Sequence, residues 1–133
     1  MELARQYRHK KVHALNVYTH AGNIAGLRHA YKMLKLLCEP FYHLKQEKAL
    51  SAHEYHEVLH HTEFLHSLLL AYFYLRRHRP MSAKRALHHA VSRFYRPFLA
   101  LPKVRHTHFL SDLIRHLEAG IHKLRHSKKV VHS

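Results

Sequence analysis

Glycine, proline and cysteine are all scarce in this chain. Three glycines and four prolines in 133 residues leave too few turn positions for a β-sandwich or a doubly wound α/β unit, so helices are favoured. Aspartate occurs once, at Asp112, which leaves little material for a Ser-His-Asp triad or a carboxylate dyad. The single cysteine, Cys38, cannot close an intrachain disulfide. It points to a reducing intracellular compartment, with cytoplasm and organelle matrix equally compatible. The longest nearly apolar run, residues 65–75, is interrupted by His66 and Ser67 and is too short to span a bilayer. No signal-peptide pattern is visible. The first residues are rich in Arg, Lys and His with only Glu2 against them, a composition shared with mitochondrial presequences, and are expected to be retained.

Negative charge is the other shortage. The chain holds 23 Lys and Arg against 8 Asp and Glu, a net +15 with histidine neutral. The imbalance is uneven. Residues 1–38 carry 7 basic and 1 acidic side chains, residues 39–63 carry 2 and 5, and residues 64–133 carry 14 and 2. Self-repulsion on this scale destabilises a compact state, and a bound polyanion relieves it. Inside cells the commonest polyanion is nucleic acid. The acidic stretch 39–63 suits a protein neighbour or a metal instead.

What the chain does have is helical periodicity. Hydrophobic residues make up 47% of it, enough for one domain with a real core. Punctuation divides it into about five segments. The first covers roughly residues 2–18, has a weak apolar pattern, and ends before Ala21, Gly22 and Asn23. The second begins near Ile24, with Ile24, Leu27, Tyr31, Leu34 and Cys38 on one helical face, and Pro40 is expected to end it. The third opens on Ser51 and Glu54, a capping-box pattern. Its stripe is Tyr55, Val58, Thr62, Leu65, Leu69 and Tyr72. Residues 64–75 are apolar nearly all round and should be the most buried part, with Pro80 closing the helix. The fourth starts after Ser82 and reaches Arg96. The fifth covers about residues 103–125, with Leu110, Leu113, Leu117, Ile121 and Leu124 inward and Gly120 as a weak spot. The pattern predicts an all-α fold: about five helices in an antiparallel-type bundle with a coiled-coil-like core and a strongly basic surface. A single domain over 1–133 is expected, with basic N-terminal helices (1–38), a long helix with an acidic start (39–80) and basic C-terminal helices (81–133).

The fourth segment is the cleanest amphipath. At about 100° per residue, Ala83, Leu87, Ala90, Val91 and Phe94 gather on one side, and Arg85, His89, Ser92 and Arg96 lie within about 60° on the other. Lys84 and Arg93 flank that face, and Arg76, Arg77, His78 and Arg79 lie just upstream. Arginine suits phosphate because its planar fork bonds two oxygens at once. A ladder of such groups matches a phosphate backbone, and Phe94 and Tyr95 are candidates to stack on bases, although Phe94 fits the core better. Lys10 and Lys11 in the first segment, and Lys128 and Lys129 at the C-terminal end, complete the candidate nucleic-acid-binding set. Helix-turn-helix, zinc-finger and basic-zipper spacings are missing, so RNA read by shape and phosphate fits better than a DNA sequence. These features predict a non-catalytic, RNA-binding structural subunit of a larger ribonucleoprotein (ribosome-like or RNA-guided), with neighbouring protein subunits as further partners and no cofactor.

One motif competes with that prediction. The run from His56 through Glu57 to His60 resembles the zincin metalloprotease motif, in which two histidines one turn apart bind zinc and the glutamate is the general base. His66 adds a spacing similar to the longer metzincin form. The resemblance implies the alternative function, a zinc hydrolase. Against it, 19 histidines and 7 glutamates produce such a pattern by chance in roughly one sequence of this kind in seven. The glycine that turns the metzincin chain is replaced by Glu63. On a straight helix His56 and His60 lie about 160° from the apolar stripe, whereas a protease zinc needs a sheltered cleft. His53, His56, His60 and Glu63 do share one face, a candidate surface zinc site. The spacing of Arg115 and His122, and of Arg8 and His13, resembles that of HEPN-type ribonucleases. The ferritin-like Glu-x-x-His pattern occurs at Glu57/His60 and Glu63/His66, but on a single helix. A third class follows from the histidine content: charge that rises below about pH 6.5 predicts a pH-dependent partner or membrane-surface switch.

Overall fold

A computed structural model describes residues 2–46, 51–96 and 108–126. They are all-helical, with no strand among the described residues: α1 (Glu2–Thr19), α2 (Ile24–Gln46), α3 (Ala52–Arg76), α4 (Pro80–Ala90), which continues as a π-helical turn (Val91–Tyr95), and α5 (Phe109–Arg125). The expected start of the fifth segment and the tail with Lys128 and Lys129 lie outside the described residues.

The helix ends show which sequence signals carried weight. The capping box forms as expected: the Glu54 amide donates to Ser51 Oγ at 3.2 Å and the Ser51 amide donates to Glu54 Oε1 at 3.2 Å. Asn23 caps α2, its Oδ1 accepting the Gly26 amide at 2.7 Å. Pro40 does not end α2, which runs on to Gln46. The proline removes one backbone hydrogen bond, and the helix continues across that loss. Nor does Pro80 close α3. The stop is a Schellman motif around His78, which takes the left-handed conformation at φ 59°. The His78 amide donates to Leu75 O and the Arg79 amide to Tyr74 O, both at 3.0 Å. Pro80 instead opens α4 at its first position, where a missing N–H costs nothing; the helix therefore starts before Ser82, not after it.

The chain forms two compact units, Met1–Glu63 and Phe64–Ser133. In the first, α1 packs on α2 and on the first half of α3. The apolar pattern of α1 looked weak because its stripe is Ala4, Tyr7, Ala14 and Tyr18, all buried, with Lys11 at the position between Tyr7 and Ala14. Lys11 keeps only 13% of its side chain exposed and pairs with Glu57 at 3.3 Å. One turn earlier, Arg8 Nε and Nη2 donate to the two Glu54 carboxylate oxygens at 2.8 and 3.2 Å. Both pairs span the same 46 residues, so α1 and α3 run in the same direction here. Arg8 holds the Glu54 carboxyl down at about 2. Leu27, Ala30, Leu34, Leu37 and Val58 complete this core. His61 is buried beside them, its ring edge-on to Tyr18 at 5.3 Å. Burial, reinforced by the charge of His60, lowers its pKa to about 4.

In the second unit Phe64, Leu65, Leu68 and Ala71 of α3 are buried, as are Ala83, Leu87, Ala90 and Phe94 and, from α5, Leu110, Leu113, Ile114, Leu117 and Ile121. The expected inward faces of the last two segments are therefore realised, with Val91 and Leu124 half-buried. Residues 64–75 are not uniformly buried: Phe73 stands 45% exposed. Gly120 is no mere weak spot, because a Cβ there would lie 2.7 Å from Leu75 Cδ2; the missing side chain is what lets α5 approach α3.

His61 makes stability acid-sensitive. Its folded pKa of about 4 lies below the unfolded value, so the unfolded chain takes up a proton first as pH falls, and stability is lost between about pH 6.5 and 4. Urea denaturation at several pH values should show a loss of up to about 3 kcal/mol from this group. That part of the slope should vanish in His61→Phe. The Glu54 contribution has its own window: present above about pH 4.5, it is lost as pH falls towards 2.

Candidate nucleic-acid interface

The second unit contains the charge that the sequence singled out. Between Glu63 and Asp112 the chain has no acidic residue at all. Within this stretch Arg76, Arg77, Arg79, Lys84, Arg85, His89, Arg93 and Arg96 are all exposed. Lys84, Arg85 and Arg93 take part in no ion pair among the described residues. A helix whose apolar side is buried holds its polar side in a fixed row, so the amphipathic pattern of α4 converts directly into a ladder of donors.

The row differs from the expected one at its C-terminal end. Lys84, Arg85, His88, His89, Ser92 and Arg93 line one open depression that begins at Met81. His88 belongs to it and was missed, because it lies between the two faces of an ideal α-helix. Arg96, expected in the row, falls outside it. A π turn at Val91–Tyr95 spreads one extra residue into the turn and shifts the phase of everything after it. The same shift brings Tyr95 inward: its hydroxyl lies 2.9 Å from Ser111 Oγ and its ring 6.0 Å from Phe64. Neither proposed base-stacking residue of this helix is thus presented outward. Phe94 is only 6% exposed and packs against His89 at 5.3 Å between ring centroids.

The aromatic side chain that is presented lies upstream. Phe73 is the one exposed Phe or Tyr among the described side chains. Arg77 sits over its ring at 4.0 Å. Arg76 donates to the Tyr72 hydroxyl at 3.0 Å. Periodicity could not find Phe73, because the run 64–75 is apolar on every side and gives no sign of which face is left uncovered.

A second groove lies between α4 and α5. It has a volume of about 310 Å³ and an apolar floor of Leu87, Val91 and Ile121. Lys84 and His88 border both features, and Glu118, His122 and Arg125 complete the rim.

The first unit treats its cations differently. Lys10 is exposed, but Lys11, also in the candidate set, is half-buried against Glu57 and cannot reach a phosphate without breaking that pair. The acidic start of α3, expected to face a protein or a metal, supplies Glu54 and Glu57 to α1 instead. That engages the glutamate of the zincin-like motif. His53, His56, His60 and Glu63 are exposed, with the His56 and His60 rings 5.6 Å apart. Among the described residues no three His, Cys, Asp or Glu side chains converge to hold a metal ion. Of the ribonuclease-like pairs, Arg8 is bound to Glu54 and Arg115 to Asp112. His122 lies against His126, with ring centroids 4.2 Å apart. No helix among the described residues is long and apolar enough to cross a membrane.

The contrast between neighbouring lysines is measurable. Lys11→Ala should cost about 1–3 kcal/mol in urea denaturation, because it strips the half-buried Glu57 of its partner. Lys10→Ala should leave stability within about 0.5 kcal/mol of the parent. Compared with known proteins, the chain matches no protein family, no curated sequence and no solved structure.

Proposed function

We propose that this protein is a non-catalytic, RNA-binding structural subunit of a larger intracellular ribonucleoprotein, folded as an antiparallel helical bundle with a strongly basic outer surface. The observation that carries the proposal is the row on α4: Lys84, Arg85, His88, His89, Ser92 and Arg93 along one depression, in a stretch without a single carboxylate. Cations held in a row by a buried helix face, in a stretch with no carboxylate of its own, are suited to a phosphate backbone. Such contacts position a partner without reading its sequence. The arginines of the Schellman turn extend the same charge upstream. Neighbouring protein subunits are further partners in this reading, and no cofactor is required.

Charge reversal tests it. Lys84→Glu/Arg85→Glu/Arg93→Glu should abolish binding to a labelled RNA at physiological salt in fluorescence anisotropy, with an unchanged circular dichroism spectrum. Arg96→Glu, outside the depression, should weaken binding less than Arg93→Glu. If the triple variant bound RNA like the parent, the α4 row would not be the interface.

A further inference from the structure

We propose that Phe73, with Arg77 stacked on it at the end of α3, is the seat of one unpaired nucleobase. The inference rests on the RNA-binding reading above and narrows it: the preferred ligand carries at least one nucleotide outside a duplex.

Phe73 needs an explanation. The other described phenylalanines and tyrosines are buried or half-buried, yet this ring is 45% exposed. It lies in the part of the chain with no acidic residue, from Glu63 to Asp112. The guanidinium of Arg77 lies 4.0 Å from its centroid. Cation–π contact uses the flat side of the guanidinium and leaves the N–H edge for phosphate oxygens. Arg76, steadied by the Tyr72 hydroxyl at 3.0 Å, and Arg79 stand in the same turn. The two 3.0 Å backbone bonds of the Schellman motif fix that turn, so these arginines lose less freedom on binding than they would on a loose loop.

Every base has a π-face, so an aromatic ring flanked by phosphate-binding cations is the combination with which proteins hold single strands without sequence preference. A duplex offers no such face along its length, since its bases already stack on one another, and opening a step to admit a side chain costs several kcal/mol. The charge and the exposed ring together therefore select a loop, a bulge or a strand end over a regular helix. An apolar partner protein would meet the three exposed arginines of this turn with nothing to neutralise them.

The test uses the full chain and the absence of native tryptophan. Binding of a labelled single-stranded oligoribonucleotide and of an RNA duplex of equal length is measured by anisotropy for the parent and Phe73→Ala. Phe73→Ala should weaken single-strand binding by roughly 5- to 100-fold and change duplex binding by less than about twofold. In Phe73→Trp, which keeps a stacking ring, the sole tryptophan should be quenched by the single strand at the parent's affinity. A strand of abasic sugar-phosphates should bind through its charge without quenching. Equal losses on both ligands in Phe73→Ala, no loss on either, or tryptophan emission indifferent to the bases would overturn the seat while leaving the α4 row intact. A parent protein that binds neither RNA would overturn this inference and the RNA-binding reading together.

Discussion

A net charge of +15 has to be accommodated by a folded chain with only 8 carboxylates, and the places where those carboxylates are used determine what the rest of the molecule presents. Glu54 and Glu57 are used inside the first unit. They take Arg8 and Lys11, and by doing so set α1 beside α3. Glu54 also closes the capping box that starts α3, so one side chain contributes to both a helix end and a helix pairing. Between Glu63 and Asp112 the chain has no carboxylate at all. The second unit buries its apolar faces in the ordinary way and carries Arg and Lys outward on α4, where Lys84, Arg85 and Arg93 form no ion pair among the described residues. Self-repulsion among such side chains weakens the folded state, and a bound anion would relieve it.

Much of this was legible in the sequence, and the exceptions have physical causes. The Ser51/Glu54 cap and the inward faces of α4 and α5 follow from local chemistry and from a 3.6-residue period. The inward row of α1 was hard to see because alanines and tyrosines form it and a lysine sits in its middle. Only the long-range partner, Glu57, makes that lysine tolerable, and pairing over 46 residues is invisible to a local pattern. The two prolines misled for opposite reasons. Pro40 is a nominal breaker across which the helix continues, and Pro80 is a starter just after His78, which supplies the actual stop from a left-handed conformation usually left to glycine.

The candidate site shows the same division. Its charged residues were readable from composition and helical phase up to Ser92 and Arg93. Beyond that point an ideal helix gives the wrong phase, because the π turn has no sequence signature and folds Tyr95 inward. Phe94 is buried, as its place on the apolar face predicts, Tyr95 turns inward, and the exposed ring is Phe73. The zincin-like motif illustrates the converse. Its spacing is present, but the glutamate is committed to Lys11 and its histidines stand exposed on the outside of the helix, so motif and environment do not coincide.

The measurement that bears most directly on this account is the salt dependence of binding between the native protein and RNA. Phosphate contacts release counterions, so the logarithm of the affinity should fall linearly with the logarithm of salt concentration. A slope of several units is expected, at about 0.7–0.9 per phosphate engaged. That result would show that the uncompensated charge of the second unit is what holds the ligand. Binding that is absent at low salt, or that is indifferent to salt, would contradict it, and the basic faces would then have to serve something other than a phosphate backbone.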